Sequence, residues 1–420
     1  MMGDALATSR LVYERLAAMV GEPTVAIRTW NGDVWGPRDA AATIVLNHPG
    51  ALRALLLPPS DLTAGEAYIY GDIDIEGDIL EVLRFATRFE SARRRPLASF
   101  RLLRYLRRLP AENRRSAHTR PERKGRLHSK RRDNASVTAH YDTGNDFFRQ
   151  FLDPGMVYSS GAFLDPDEPL ETAQRRKIDL ICRKLQLRSG QRLLDIGCGW
   201  GTLAIHAARH YGVDVLGVTL SRPQVDLATA AAKEAGVDDR VTFEVLDYRD
   251  VKGRFDAIAS VGMFEHVGKK QLATYFARVR DMLKPGGALL NHGIVTRDRR
   301  RRRRAKPSFI DTYVFPDSEL VTVDDVIAEA EGAGFELRDA ESLRTSYALT
   351  LRHWIHNLEA NREAAVEAAD ETTYRIWRVY MAGSAIGFEM AGISVYQLLL
   401  TTPERPWTFG RSHLLAADDR

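Results

Sequence analysis

The stretch Leu193-Leu194-Asp195-Ile196-Gly197-Cys198-Gly199-Trp200-Gly201 decides the fold. A short apolar run ends on three alternating glycines, and helical periodicity follows from Thr202. Glycine has no Cβ to hold a ligand off the main chain, so a strand, glycine turn and helix in that order let a cofactor approach the backbone and the positive helix N-terminus. The pattern is G-x-G-x-G with Asp195 two residues ahead of the first glycine, not the G-x-G-x-x-G of dinucleotide sites. The next apolar run, 213–219, continues into Leu220-Ser221 and lacks the acidic residue that would hold a dinucleotide's ribose. S-adenosylmethionine is therefore favoured over a nicotinamide cofactor.

Outward from this turn, strand and helix alternate. Helices are expected over 171–187, 202–211, 222–235 and 270–283, and strands over 192–196, 213–219, 241–246, 255–261 and 288–294. That spacing predicts an α/β fold with a doubly wound parallel sheet, whose ligands sit beyond the carboxyl ends of the strands. Residues 1–92 read differently, with short strands at 24–30 and 42–46, an Asn31-Gly32 turn, a helix at 51–57 and an alternating strand from Ile73. They form a smaller N-terminal α+β domain, the expected lipid-docking domain.

A basic linker over 93–132 separates the two, with Arg93-Arg94-Arg95, Arg107-Arg108, Arg114-Arg115 and Lys130-Arg131-Arg132. It reads either as a solvated spacer or as an electrostatic arm for anionic phospholipid or nucleic acid. Leu102, Leu103, Tyr105, Leu106 and Leu109 interleave with Arg101, Arg104, Arg107 and Arg108 as a basic amphipathic segment of the membrane-surface kind, which favours lipid. The run Arg299 to Arg304 reads as exposed loop.

Composition sets the outer bounds. The chain of 420 residues has room for two domains, and 44% hydrophobic residues is ordinary for a globular protein. Cys182 and Cys198 give no disulfide framework, which suits a reducing cytoplasm, and no secretory leader is evident. The apolar stretch 379–400 is interrupted by Glu389 and by Gly383, Gly387 and Gly392, so it is expected as a buried helix or helix pair, not a membrane span. His140, His206, His210, His353 and His356 lack metal-ligand spacing, and no metal is expected.

Seven motifs stand in order: His140 to Phe148, Tyr158-Ser159-Ser160, Asp195 to Gly201, Gly217 to Ser221, Asp247 to Asp250, Ser260 to Gly268, and Asn291-His292-Gly293-Ile294. On these the chain resembles the cyclopropane fatty acyl phospholipid synthases, a group that includes the mycolic acid cyclopropane synthases, over roughly 137–400. The resemblance implies a Rossmann-like doubly wound methyltransferase sheet over 133–420. It also implies methyl transfer from S-adenosylmethionine to a cis double bond of an acyl chain, followed by loss of a proton from the new methyl and ring closure. By resemblance, bicarbonate acts as bound general base at Ser160, Glu265, His292, Ile294 and Tyr380, although the family usually has cysteine where this chain has Ser160.

The cofactor contacts that the resemblance implies are Tyr158, Ser159, Gly197, Gly199, Thr219, Leu220, Gln224, Asp247 and Tyr248. Several also make sense as chemistry. Thr219 and Gln224 can hydrogen-bond hydroxyls, and Asp247-Tyr248 at a strand end can meet adenine by hydrogen bond and ring contact. Glu265 follows an apolar strand on the ligand-binding edge, and His292 lies on another. A cationic intermediate calls for a dry site with aromatic faces, for which Phe147, Phe148, Phe163, Phe264, Tyr313, Phe315 and Tyr380 are available. Glu389 reads either as the partner of an arginine such as Arg378 or as a raised-pKa group that helps deprotonation.

The expected partner is the acyl chain of a phospholipid at an anionic membrane surface, met by peripheral contact at the inner face of the cell membrane, with a homodimer implied by relatives. The same cation can instead lose a proton after a hydride shift, giving a methylene branch. A nucleic-acid-binding methyltransferase is the reading from another class, motivated by the basic runs, but no nucleic-acid-binding signature accompanies them.

Overall fold

A computed structural model describes residues 2–21, 23–92, 102–118, 144–297, 308–315 and 318–406. The motif residues His140 to Thr143, the run Arg299 to Arg304 and most of the basic linker lie outside them. The chain divides into two compact units: Met1–Arg123, Arg304–Pro316 and Ala369–Ile386 form the first, and Lys124–Arg303, Asp317–Ala368 and Gly387–Arg420 the second. Two segments of the expected 133–420 block thus group with the N-terminal residues.

In the first unit, β1 (Val25–Arg28) makes a hairpin with β2 (Val34–Trp35) and pairs in parallel with β3 (Ala42–Leu46), which pairs antiparallel with β4 (Ile73–Gly77). The alternating burial of β3 puts Ala42, Ile44 and Leu46 inside. Helix Asp61–Ile69 is capped by Ser60, whose hydroxyl accepts from the Thr63 amide at 3.0 Å. Leu102, Leu106 and Leu109 are buried in the protein, whereas Arg104, Arg107 and Arg108 are exposed. The apolar face that reads as membrane-seeking in sequence is therefore spent on internal packing.

The second unit holds, among the described residues, a seven-stranded sheet in the order β10-β11-β9-β8-β5-β6-β7. Its strands are β5 (Arg192–Ile196), β6 (Asp214–Thr219), β7 (Val241–Val245), β8 (Phe255–Val261), β9 (Leu283–Thr296), β10 (Glu336–Ser342) and β11 (Ile393–Thr401). Strands β5 to β9 pair in parallel, and β11 inserts antiparallel between β9 and β10. Helices pack on both faces over two apolar clusters, one around Leu193, Val215 and Ala257, the other around Leu194, Ile258 and Phe276.

Two expectations are corrected. Residues 284–287 do not break helix from strand; β9 begins at Leu283 directly after helix Leu272–Met282. The apolar stretch 379–400 is not a helix or helix pair but helix Glu371–Glu389 followed by strand β11. Ala391 at φ 55° with Gly392 makes the reversal, and pairing on both edges buries β11 almost throughout. Among the described residues no helix is long and apolar enough to cross a membrane.

Candidate active site

The glycine turn joins β5 to helix Thr202–Tyr211 as expected. The amides of Gly197 and Cys198 both donate to the carbonyl of Val218, at 2.9 and 3.1 Å, so the turn offers close approach more than free donors. Gly201 has φ 87°, and a Cβ there would meet the Phe243 ring at 2.5 Å, so it is needed for packing. A Cβ on Gly199 would meet nothing within 4 Å. Open space therefore lies over Gly199, as a cofactor cradle requires.

Asp195, at the end of β5, is 2% exposed, and its Oδ2 has no hydrogen-bond partner. Burial pushes its pKa up to about 7, opposed by the charge of Lys177. Lys177 is also 2% exposed, and burial pulls its pKa down to about 8 against the attraction of Asp153 and Asp195. Its Nζ donates to Ser159 Oγ at 2.8 Å. Sequence reasoning missed this lysine, because a lysine on an arginine-rich helix reads as solvated. The signal was there: Lys177 and Lys184 are two heptad-spaced lysines on the apolar stripe of helix Leu170–Leu185, and both are buried.

The other expected cofactor residues ring the same strand ends. Thr219 Oγ1 donates to Gln224 Oε1 at 2.7 Å and accepts from the Ser221 amide at 3.3 Å. Leu220 is half-buried beside it. Asp247 is held by its neighbour Arg249, whose amide and guanidinium donate to it at 2.9, 2.8 and 2.6 Å, and Tyr248 stands edge-on to Tyr275. Tyr158 packs edge-on against Phe148 and tilted against Trp354.

Ser160, Glu265, His292 and Ile294 come together at the ends of β8 and β9. His292 and Ile294 are two apart on β9 and share a face. His292 Nδ1 accepts from Gln397 Nε2 at 3.3 Å, from the opposed position of β11, which leaves Nε2–H to donate to Ser160 Oγ at 3.4 Å. Burial, together with the charges of Lys177 and Lys184, drives the His292 pKa well below the usual range, so the ring is neutral. Glu265 Oε1 accepts the Ile294 amide at 2.7 Å, while Oε2 is buried with no hydrogen-bond partner. Burial raises the Glu265 pKa to about 7. The Ile294 amide is thus committed to Glu265, so Ile294 orients the carboxylate. Gly293 makes the approach possible, since a Cβ there would stand 1.9 Å from the Phe264 ring.

Tyr380 belongs to the first unit, where it meets Phe315 and Trp377 edge-on. Tyr313, also of the first unit, donates to Glu66 at 3.0 Å. Phe147 and Phe148 are fully buried in an aromatic cluster with Phe151, and Phe163 stacks on His353. Glu389 pairs with Arg352 at 2.5 Å, not with Arg378, which donates to Tyr68 Oη and to the carbonyls of Ile75 and Gly77.

The chain is similar to known proteins over most of its length. A family model described as "Mycolic acid cyclopropane synthetase" matches residues 128–398, and one for a domain of unknown function matches 12–93. A Pseudomonas putida protein named "Probable fatty acid methyltransferase" is 40% identical over 91% of this chain and 94% of its own length. The cyclopropane-fatty-acyl-phospholipid synthase of Escherichia coli K12 is 39% identical over 66% of this chain and 70% of its own. Among solved structures, mycolic acid cyclopropane synthase CmaA1 complexed with SAH and CTAB superposes with a TM-score of 0.61 at 33% identity, covering 64% of this chain and 98% of that one.

Proposed function

The chain belongs to the mycolic acid cyclopropane synthetase family of S-adenosylmethionine-dependent methyltransferases, and we propose that it methylates the cis double bond of an unsaturated acyl chain in a membrane phospholipid and closes the product to a cyclopropane. The observation that carries this reading is the buried group of Glu265, His292 and Ser160, in which Glu265 Oε2 has no hydrogen-bond partner.

Gly199, Asp195, Ser159, Thr219 and Gln224 are the residues to hold S-adenosylmethionine, which when bound supplies an electrophilic methyl group. Asp195 Oδ2 is a buried acceptor suited to an ammonium. Lys177 uses an acceptor lone pair of Ser159, so the Ser159 hydroxyl proton is free to turn toward a carboxylate. Together they suit the amino-acid end of the cofactor.

An alkene is a weak nucleophile and the product of its attack is a cation, so the residues around it must exclude water and leave the cation untrapped. Neutral His292 and a Glu265 that is partly protonated near pH 7 meet that need better than two fixed charges. They also accommodate an anion, because protonated Glu265 and His292 Nε2–H are donors. Bicarbonate held by Ser160, Glu265 and His292 would supply the base for the proton of the new methyl. A serine hydroxyl is a stronger donor than the thiol usual in the family at this position, so Ser160 can donate to such an anion.

The exposed arginines of the first unit fit attachment to the anionic inner face of the cell membrane. The test is incubation with methyl-labelled S-adenosylmethionine and oleoyl phosphatidylglycerol vesicles. Label in the acyl chain with upfield ring protons in the NMR spectrum is expected. Exomethylene signals would replace the ring by a methylene branch, and label absent from lipid would overturn the reading.

A further inference from the structure

We propose that a cavity in the first unit binds a zwitterionic phospholipid head group, a phosphodiester joined to an N–H-bearing ammonium. The inference rests on the lipid-surface reading above and adds what the first unit recognises there.

The cavity measures about 270 Å³ and is lined by Arg53, Leu57, Thr63, Asp72, Glu112 and Arg115, among others. At roughly 30 Å³ per water it has room for a head group and not for an acyl chain. Asp72 is fully buried. Its Oδ1 accepts from His48 Nε2 at 2.8 Å and from the Arg114 amide at 2.6 Å, while its Oδ2 has no hydrogen-bond partner. A buried carboxylate oxygen left in that state is costly and calls for a donor. The two arginines are each anchored by one nitrogen. Arg53 Nη1 donates to the Leu109 carbonyl at 2.8 Å, and Arg115 Nη1 to Glu66 at 3.1 Å. The remaining guanidinium donors form the planar fork that suits a phosphate.

The lining thus carries two carboxylates, Asp72 and Glu112, and two cationic donors, Arg53 and Arg115, in one small space, and of the carboxylates Asp72 is the buried one. An anion alone leaves Asp72 unanswered, and a cation alone leaves the arginines so. A phosphate linked to an ammonium answers both. The source follows from the chain leading in: exposed Arg104, Arg107 and Arg108 directly precede the Leu109 carbonyl that anchors Arg53. With Leu102, Leu106 and Leu109 buried, this segment has no apolar face to insert, so recognition at a bilayer falls to charge and to the head group.

The experiment is calorimetric titration of the full chain with soluble glycerophosphoethanolamine, glycerophosphocholine and inorganic phosphate, repeated for Arg53→Gln and for Ala54→Trp, which fills the cavity. Glycerophosphoethanolamine is expected to bind at least about tenfold tighter than the other two, because choline has no N–H for Asp72 and phosphate has no ammonium. Both variants should lose at least about tenfold of that affinity while binding S-adenosylhomocysteine as the parent does, which certifies the fold. Equal binding of all three probes, binding of inorganic phosphate alone, or no effect of either variant would overturn the proposal. Acyl labelling in vesicles measured alongside separates the readings, since labelled lipid without head-group binding removes this site and leaves the methyl transfer standing.

Discussion

Glu265 and Lys177 are both buried where charge is costly, and each answers by shifting toward its neutral form. The sign for Glu265 follows from linkage. Its carboxyl is raised from 4.5 to about 7 in the fold, so the folded state binds the extra proton and the stability this confers is complete below pH 4.5 and lost as pH rises through 7. Glu265→Gln removes the dependence. Thermal unfolding is expected to show the variant similar to the parent at pH 4.5 and more stable at pH 8, by about 3 kcal/mol at roughly 1.4 kcal/mol per pKa unit, while methyl transfer is lost. A stability difference between variant and parent that is the same at both pH values would mean that Glu265 titrates normally. Lys177 gives the complementary test on the cofactor side. Lys177→Met should weaken S-adenosylhomocysteine by at least about tenfold and leave 5′-methylthioadenosine, which lacks the amino-acid end, unaffected. In the parent that preference should fade as pH rises through about 8. Equal loss for both ligands would mean that the lysine only supports the fold.

At the level of elements, two glycines separate packing from ligand approach. Gly293→Ala drives a methyl group into the Phe264 ring, so it should cost about 1–3 kcal/mol as overpacking and displace Glu265 with it. Gly199→Ala meets open space and pays only for its φ of 54°, so its melting temperature should fall little while cofactor affinity collapses. Calorimetry of the two variants, with and without S-adenosylhomocysteine, distinguishes the roles. The turn that carries Gly199 was legible because strand, glycines and helix are adjacent in sequence, and the bounds of β5, β8 and helix Thr202–Tyr211 agree with the expectation. Strand β11 was not legible. Its apolar run Val395 to Leu400 has the same composition as a buried helix, and only its pairing with β9 and β10 on either edge makes it a strand. Residues 284–287 are a mixed case: Pro-Gly-Gly reads as punctuation, and Gly286 at φ 77° and Gly287 lie within β9 but in its irregular stretch, between Leu283 opposite Phe255 and Ala288 opposite Ala257 of β8.

The whole molecule combines a catalytic sheet with a unit assembled from three separate parts of the chain. Local pattern could find the first part but not the grouping of 304–316 and 369–386 with it, because that depends on contacts between residues hundreds of positions apart, such as Arg375 with Asp74 at 3.1 Å and Tyr70 with Tyr313 at 3.0 Å. Nor could it tell that leucines spaced as on a membrane-surface helix are packed inward. This changes what would hold the protein to a bilayer in the proposed reading. Insertion of Leu102, Leu106 and Leu109 would strengthen with salt as hydrophobic contacts do, whereas attachment through Arg104, Arg107 and Arg108 is screened over about 10 Å at 0.1 M salt. Flotation with phosphatidylglycerol vesicles should therefore fall steeply with ionic strength. Replacing the three arginines by glutamine should weaken it by about 3 kcal/mol at roughly 1 kcal/mol per charge, with S-adenosylhomocysteine binding unchanged. If the glutamine variant floats as the parent does, these arginines are a solvated face and the contact with lipid lies elsewhere; if RNA displaces the parent from vesicles at equal charge concentration, the basic segment serves nucleic acid instead.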